Sequence, residues 1–350
     1  MSSTLPSSPP RSGSPRPGPP VGITLVTGAT GFVGSAVARA LARRGHTLRL
    51  LVRAGSDLSL IEELGETVVG DLLDPASLTA AVQGCRYVFH VAADYRLWVP
   101  KPGPMMQANV DGTMALLRAA RDAGVQRIVY CSSVAALGLV GDGTPGTEDT
   151  PVDPATVIGV YKQSKYRAEQ AVRELVRDEG VPAVIVNPSA PVGPRDIKPT
   201  PTGKMVLDAA AGRMPAYVDT GLNIVHVDDV AEGHVLALEH GRLGESYILG
   251  GEDLGMAHIL AMVDDVVNRP QVRRTRIPNA ALVPVAAVME GVARLTKREP
   301  RVTREMLAMA RKRMYFSSDK ARRELGYDPR PAREALVDAI AWFSEHGRLP

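Results

Sequence analysis

An α/β fold built on a doubly wound parallel sheet, with a smaller, discontinuous, mainly helical lobe, is predicted for this chain by three observations. Residues 23–34, Ile-Thr-Leu-Val-Thr-Gly-Ala-Thr-Gly-Phe-Val-Gly, run from an apolar strand through three glycines spaced three apart into a helical pattern. Short apolar runs then alternate with helical patterns as far as Pro188, the rhythm of strands joined by crossover helices. The residues able to do chemistry sit at the carboxyl ends of those runs, where ligands of such sheets bind.

The glycine turn comes first. Gly28 permits a tight turn, Gly31 lets backbone approach a pyrophosphate, and Gly34 lets the helix pack closely on the strand. The first N–H groups of the helix and its dipole then face the phosphates. Gly28, Thr30, Gly31, Phe32 and Val33 are thus expected against a dinucleotide, and the sheet is of Rossmann type. Helix 32–44 leads to a strand at Thr47–Val52, a third ending at Val68-Val69-Gly70-Asp71, a fourth at Tyr87–Ala92, a fifth at Arg127–Cys131 and a sixth at Val184–Val186. Helices are expected at 104–123 and 159–179. Beyond Pro188, residues 190–222 are rich in Pro, Gly and Thr, and 250–316 read as mostly helical. Asn223–Val227 and Tyr247–Gly250 are expected to rejoin the main sheet. The predicted division is a Pro/Ser-rich disordered tail at 1–20, a dinucleotide-binding domain at 21–189 plus 223–250, and a substrate lobe at 190–222 plus 251–350.

Length and composition bound the rest. A chain of 350 residues with 45% hydrophobic and 23% charged residues has the makeup of an ordinary globular protein with an ample core. Cys85 and Cys131 offer neither a disulfide framework nor metal spacing, and no metal is expected. The tail lacks the apolar segment of a secretory signal, and no later run suits a membrane span. The expected location is cytoplasmic. Residues 268–323 carry 15 Lys and Arg against 4 Asp and Glu, a local +11, so with a total of +3 the remainder sums to −8. Solvated helix faces explain such a segment; peripheral contact with an anionic membrane, or a phosphorylated ligand, is the functional alternative. Nucleic acid is not expected, because no recognition motif accompanies the charge.

Tyr161-Lys-Gln-Ser-Lys165 opens a helix and puts Tyr161 and Lys165 on one face. A phenol titrates near pH 10, about three units too high for acid–base work at neutrality, and a neighbouring ammonium favours its ionised form. The fifth strand ends in Cys131-Ser132-Ser133, which places a hydroxyl where it can bind a reacting oxygen. Dinucleotide loop, strand-end serine and downstream Tyr-x-x-x-Lys, in this order, resemble the extended short-chain dehydrogenase/reductase superfamily from about Val21 onward. That resemblance implies an enzyme in which Tyr161 exchanges a proton with a substrate carbonyl or hydroxyl. Lys165 lowers the tyrosine's pKa and holds the nicotinamide ribose, and Ser133 orients the substrate oxygen, with Ser132 as fallback. It also implies cofactor contacts from Asp71, Leu72, Ala92, Ala93, Pro188 and Ser189, a brace at Asn109, and a homodimer formed through helices 104–123 and 159–179.

Three less general segments, His90-Val-Ala-Ala-Asp-Tyr-Arg-Leu-Trp98, Pro188–Gly203 and Met214–Asn223, resemble the hopanoid-associated sugar epimerase family, itself similar to dihydroflavonol 4-reductases. This implies a small-molecule substrate in hopanoid side-chain metabolism. Arg53 pulls against the epimerase name. It ends the second strand 19 residues after Gly34, where an NAD-selective fold places an acid for the ribose hydroxyls. A guanidinium there pairs instead with a 2′-phosphate, so NADP(H) is favoured over NAD(H). Epimerases of the superfamily often carry Thr two residues after the catalytic serine; here that residue is Ala135. Net NADPH-dependent reduction of a sugar-derived or polyol carbonyl is therefore favoured. The alternatives are a sugar epimerase with tightly bound NAD and a non-catalytic dinucleotide-sensing protein. Tyr95, Arg96, Trp98 and Arg195 are the candidate substrate contacts. His226 reads as a structural group.

Overall fold

The computed structural model describes residues 22–96, 99, 101–154, 157–270, 273–296 and 303–349. The predicted tail and Trp98 lie outside the described residues. The first half of the chain runs β1 (Ile23–Thr27), α1 (Phe32–Arg43), β2 (Thr47–Val52), β3 (Glu66–Val69), α2 (Pro75–Val82), β4 (Cys85–His90), α3 (Pro102–Met106), α4 (Gly112–Asp122), β5 (Arg127–Cys131), α5 (Val160–Glu179) and β6 (Ala183–Pro188). The second half continues with β7 (Ala190–Val192), α6 (Pro201–Ala210), β8 (Ala216–Tyr217), β9 (Gly221–His226), α7 (Val227–His240), β10 (Ser246–Leu249), β11 (Glu252–Gly255) and α8 (Met256–Val266). It ends with β12 (Thr275–Arg276), α9 (Asn279–Thr296), α10 (Arg304–Ala310), β13 (Arg313–Met314), α11 (Asp319–Leu325) and α12 (Ala332–Glu345).

Seven parallel strands form the main sheet in the order β10-β6-β5-β4-β1-β2-β3. Near-continuous apolar runs such as β6, buried at every residue, are what a sheet covered on both faces requires. One face packs with α1, α7 and α11, the other with α2, α4 and α5. Chain direction across the sheet reverses between β1 and β4, and the crevice outside those strand ends is the expected ligand position.

Small residues bring α1 close: Gly34, Ser35, Ala36, Ala38 and Ala40 are buried along it. The buried stripe of α5 holds Ala168, Val172 and Leu175 but also Ser164, Lys165 and Glu169, and the helix stops at Gly180, whose φ of 67° lies in the left-handed region. Polar groups on a buried stripe need partners; here they mark the site.

Two expectations are corrected. The helix expected at 104–123 is three pieces, with Gln107–Asp111 as a π-helical turn between α3 and α4. Such turns arise where a side chain is re-aimed, and Asn109 within it reaches the backbone of Asp94. Of the two strands expected to rejoin the main sheet, β10 does so beside β6, whereas β9 heads a separate four-stranded sheet with β7, β11 and β13. The Asn223 amide explains that partition. It accepts from the Gly251 N–H at 2.8 Å and donates to the Phe316 carbonyl at 3.0 Å, tying β9 to the segments around β11 and β13.

Candidate active site

The carboxyl ends of β1 to β6 and the first turns of α1 and α5 assemble the site. At the end of β1, Gly28 has φ 73°, and a Cβ there would sit 2.6 Å from the Ala92 nitrogen that follows β4. At Gly34 a Cβ would lie 2.0 Å from the Gly28 carbonyl oxygen. Gly31 donates its N–H to that same carbonyl at 2.9 Å and precedes α1 with no side-chain cap. The cradle therefore admits no side chain, and the first turn of α1 leaves backbone N–H groups for an anion. The Phe32 ring is buried in the core, so only its backbone faces the cradle; Thr30 and Val33 are half-buried beside it.

A buried polar relay stands behind the turn. Thr27 Oγ1 contacts His90 Nδ1 at 2.8 Å and accepts the Ala92 N–H at 3.2 Å, and His90 Nε2 meets Thr113 Oγ1 at 2.9 Å. Burial, with the nearby Lys165 charge, pushes His90 down to about 3, so it is a neutral spacer that fixes the Ala92–Ala93 backbone. Asn109 continues the brace: Oδ1 accepts from the Asp94 N–H and Nδ2 donates to the Asp94 carbonyl, both at 2.8 Å, and to Ser164 Oγ at 2.9 Å.

At the adenosine end, Arg53 is exposed just after β2, and its guanidinium forms no hydrogen bond or salt bridge with any described residue. Its charge acts on Asp94, whose carboxylate is held low chiefly by its bonds to Arg96, against the opposing effect of burial. Asp71 is exposed after β3, with Oδ1 accepting the Leu73 N–H at 2.9 Å. Leu72 is half-buried against Gly112, where a Cβ would come within 2.8 Å of the leucine Cβ. At the other end, Pro188 is buried at the end of β6, and the Ser189 hydroxyl is buried with no partner among the described residues. Glycine cradle, open helix start, unpaired arginine and orphaned hydroxyl together fit a nicotinamide dinucleotide.

The catalytic candidates meet where β5 faces α5. Burial pushes the Tyr161 phenol up to about 12, and the neighbouring Ser133 hydroxyl works against that shift. Ser133 Oγ also accepts the Ala135 N–H at 3.1 Å. Lys165 is buried and donates to the Cys131 carbonyl at 2.8 Å, lying over the Tyr130 ring at 5.4 Å; burial lowers its pKa. The Lys165 ammonium is directed at the Cys131 carbonyl, and Ser133 is the neighbour that lowers the Tyr161 pKa. The adjacent serines differ in their partners. Ser132 Oγ donates to Glu169 Oε2 at 2.7 Å and is buried, which leaves Ser133 as the one facing the tyrosine.

Glu169 was not singled out from sequence. It lies one turn beyond Lys165, is 2% exposed, and accepts from Ser132, from Asn187 Nδ2 at 2.7 Å and from Arg173 at 2.9 Å. Asn187 Nδ2 also donates to the Ser133 carbonyl at 3.1 Å. The legible signal was an acid at i+8 from Tyr161, continuing the stripe of Tyr161 and Lys165.

Substrate candidates are less converged. Tyr95 is 43% exposed and feels the charge of Asp196. Arg96 is paired with Asp94. Arg195, a non-glycine residue at φ 74°, turns toward α7 and pairs with Asp228, so it is not brought to the tyrosine. His226 is fully buried, caps α7 through the Asp228 N–H at 3.0 Å and meets Asp338 at 3.1 Å, a structural arrangement. Cys85 and Cys131 are buried and free. Among the described residues no helix is long and apolar enough to cross a membrane.

Residues 24–250 match the NAD dependent epimerase/dehydratase family. The chain is 43% identical to a dihydroflavonol 4-reductase-like protein of Synechocystis sp., over 92% of this chain and 95% of that one. It is 35% identical to sterol demethylase protein B of Methylococcus capsulatus, over 93% and 99%. Among solved structures, the crystal structure of gox2253 matches with a TM-score of 0.85 at 63% identity, covering 94% of this chain and 99% of that one.

Proposed function

Because the chain belongs to the NAD dependent epimerase/dehydratase family, the extended short-chain dehydrogenases/reductases, and is an NAD(P)-dependent enzyme of that family, we propose that it reduces a substrate carbonyl with NADPH. The substrate we propose is sugar-derived or polyol, linked to hopanoid side-chain metabolism in a bacterial cytoplasm. The single observation that carries the cofactor choice is Arg53, exposed after β2 without an ion-pair partner among the described residues. A free guanidinium there suits a 2′-phosphate. The hopanoid link is supported by the segments at 90–98, 188–203 and 214–223 and by a relative named for a sterol reaction.

Gly28, Gly31, Gly34 and the α1 N-terminus would hold the pyrophosphate, Arg53 the 2′-phosphate, Asp71 and Leu72 the adenine, and Ala92, Ala93, Lys165, Pro188 and Ser189 the nicotinamide end. When bound, the nicotinamide supplies a hydride. Ser133 orients the substrate oxygen, and Tyr161, held protonated at neutral pH by burial, gives that oxygen its proton. A loaded acid suits reduction. Tyr95 and Arg96 border the substrate entrance, and α4 with α5 form the proposed homodimer face. A second reading, a sugar epimerase on tightly held NAD, is favoured by the family's epimerase members.

Arg53→Ala is expected to raise KM for NADPH by roughly 10- to 100-fold, the worth of one charge-assisted contact, while KM for NADH stays level. Steady-state kinetics with both cofactors checks this. Equal loss with both would remove Arg53 from phosphate recognition.

A further inference from the structure

Helix α9 turns three of its valines outward. Val285, Val288 and Val292, at i, i+3 and i+7, are 48%, 68% and 52% exposed, and Ala281, Pro284 and Gly291 are exposed with them. Among its described side chains Ala286, Glu290 and Ala293 are buried, and Leu282, Val283 and Met289 are half-buried. Glu290 faces inward to receive the Arg304 N–H at 2.7 Å and its guanidinium at 2.9 Å, which docks α9 on α10. A helix selected for water alone arranges itself the other way, with valines in and glutamate out. An apolar face of this kind marks an interaction surface.

Charge says what kind. The same part of the chain, 268–323, holds the local +11 while the rest sums to −8. Arg273, Arg311, Lys312 and Arg313 in it are exposed and form no salt bridge with any described residue. An apolar protein partner accounts for the valines but not the cations, and a nucleic acid for the cations but not the valines. An anionic bilayer surface accounts for both, since it takes aliphatic side chains at the acyl boundary and cations at the headgroups. The proline-rich tail has no apolar run to cover the face.

We propose that α9 lies in the plane of an anionic membrane, with Val285, Val288 and Val292 entering the interface and the exposed Arg273, Arg311, Lys312 and Arg313 drawing the protein to the headgroups. Docking this way does not depend on whether the enzyme reduces or epimerises. The test uses the full-length protein and sedimentation with vesicles of phosphatidylcholine alone or with about one-third phosphatidylglycerol, in low and high salt. Wild type is expected on the anionic vesicles only, released in part by salt. Val285→Ser with Val288→Ser, at exposed positions, is expected to bind roughly tenfold more weakly with unchanged melting temperature and unchanged turnover of a water-soluble substrate. Failure of wild type to bind anionic vesicles, or equal binding by the variant, overturns the proposal. So does a solution dimer that the double substitution dissociates while vesicle binding is absent, which would make the face a contact between copies.

Discussion

Tyr161→Phe is expected to lower kcat for reduction by about 10²- to 10⁴-fold, the usual worth of a positioned proton donor, with little change in the Kd for NADPH. The substitution removes one hydroxyl and leaves the ring, so folding and the glycine cradle stay intact. Ser133→Ala is expected to lower kcat as well, because Ser133 is the neighbour that eases the ionisation of that hydroxyl. Ser132→Ala is expected to act on stability instead, since that hydroxyl is bound to Glu169. The pH profile carries a sign. Burial pushes Tyr161 up to about 12, so the proton-bearing form needed for reduction is present throughout the neutral range, and reduction should not gain from raising the pH. Oxidation of an alcohol needs the proton-free form and should quicken as pH rises. Stopped-flow chemistry with fluorescence titration of NADPH checks both; unchanged turnover in the phenylalanine variant would remove the tyrosine from the proton path.

The second large effect is expected at Glu169. In Glu169→Ala, Ser132 Oγ loses its acceptor and the Asn187 amide loses one of its two, at about 1–3 kcal/mol for each buried donor left unsatisfied. Arg173 loses its carboxylate too, though it is one-third exposed and water compensates it in part. Because Asn187 also holds the Ser133 carbonyl, the loss should reach the active site: a melting temperature lower by several degrees and kcat lower by about tenfold, with KM for NADPH nearly level. Glu169→Gln, which keeps the volume and one acceptor, should recover most of the stability. A kcat unchanged in a folded Glu169→Ala protein would confine the glutamate to a structural role.

Much of this was legible in the chain because the fold forces residue types at fixed places. Only glycine tolerates φ 73° beside Ala92, and only glycine at 34 avoids the Gly28 carbonyl, so the cradle announces itself by spacing. Tyr161 and Lys165 announce themselves by a helical offset. What stayed hidden was set by side-chain partners distant in sequence. The partition of β9 follows from the Asn223 amide reaching residues 251 and 316. The π-turn follows from Asn109 reaching back to Asp94. The direction of Lys165 follows from a carbonyl 34 residues earlier. Local periodicity carries none of these, because each is a long-range hydrogen bond that a polar residue satisfies only once the sheet and helices are in place. The partner of Arg195 was hidden for a related reason: Asp228 lies 33 residues later in the chain.

The most direct measurement follows nicotinamide absorbance and product mass together while wild-type enzyme and NADPH meet a panel of sugar-derived aldehydes and ketones. Oxidation of NADPH in step with formation of the corresponding alcohol is expected, with NADH a poor substitute. Interconversion of epimers on tightly retained NAD, with no net loss of added NADPH, would contradict the assignment of a reductase.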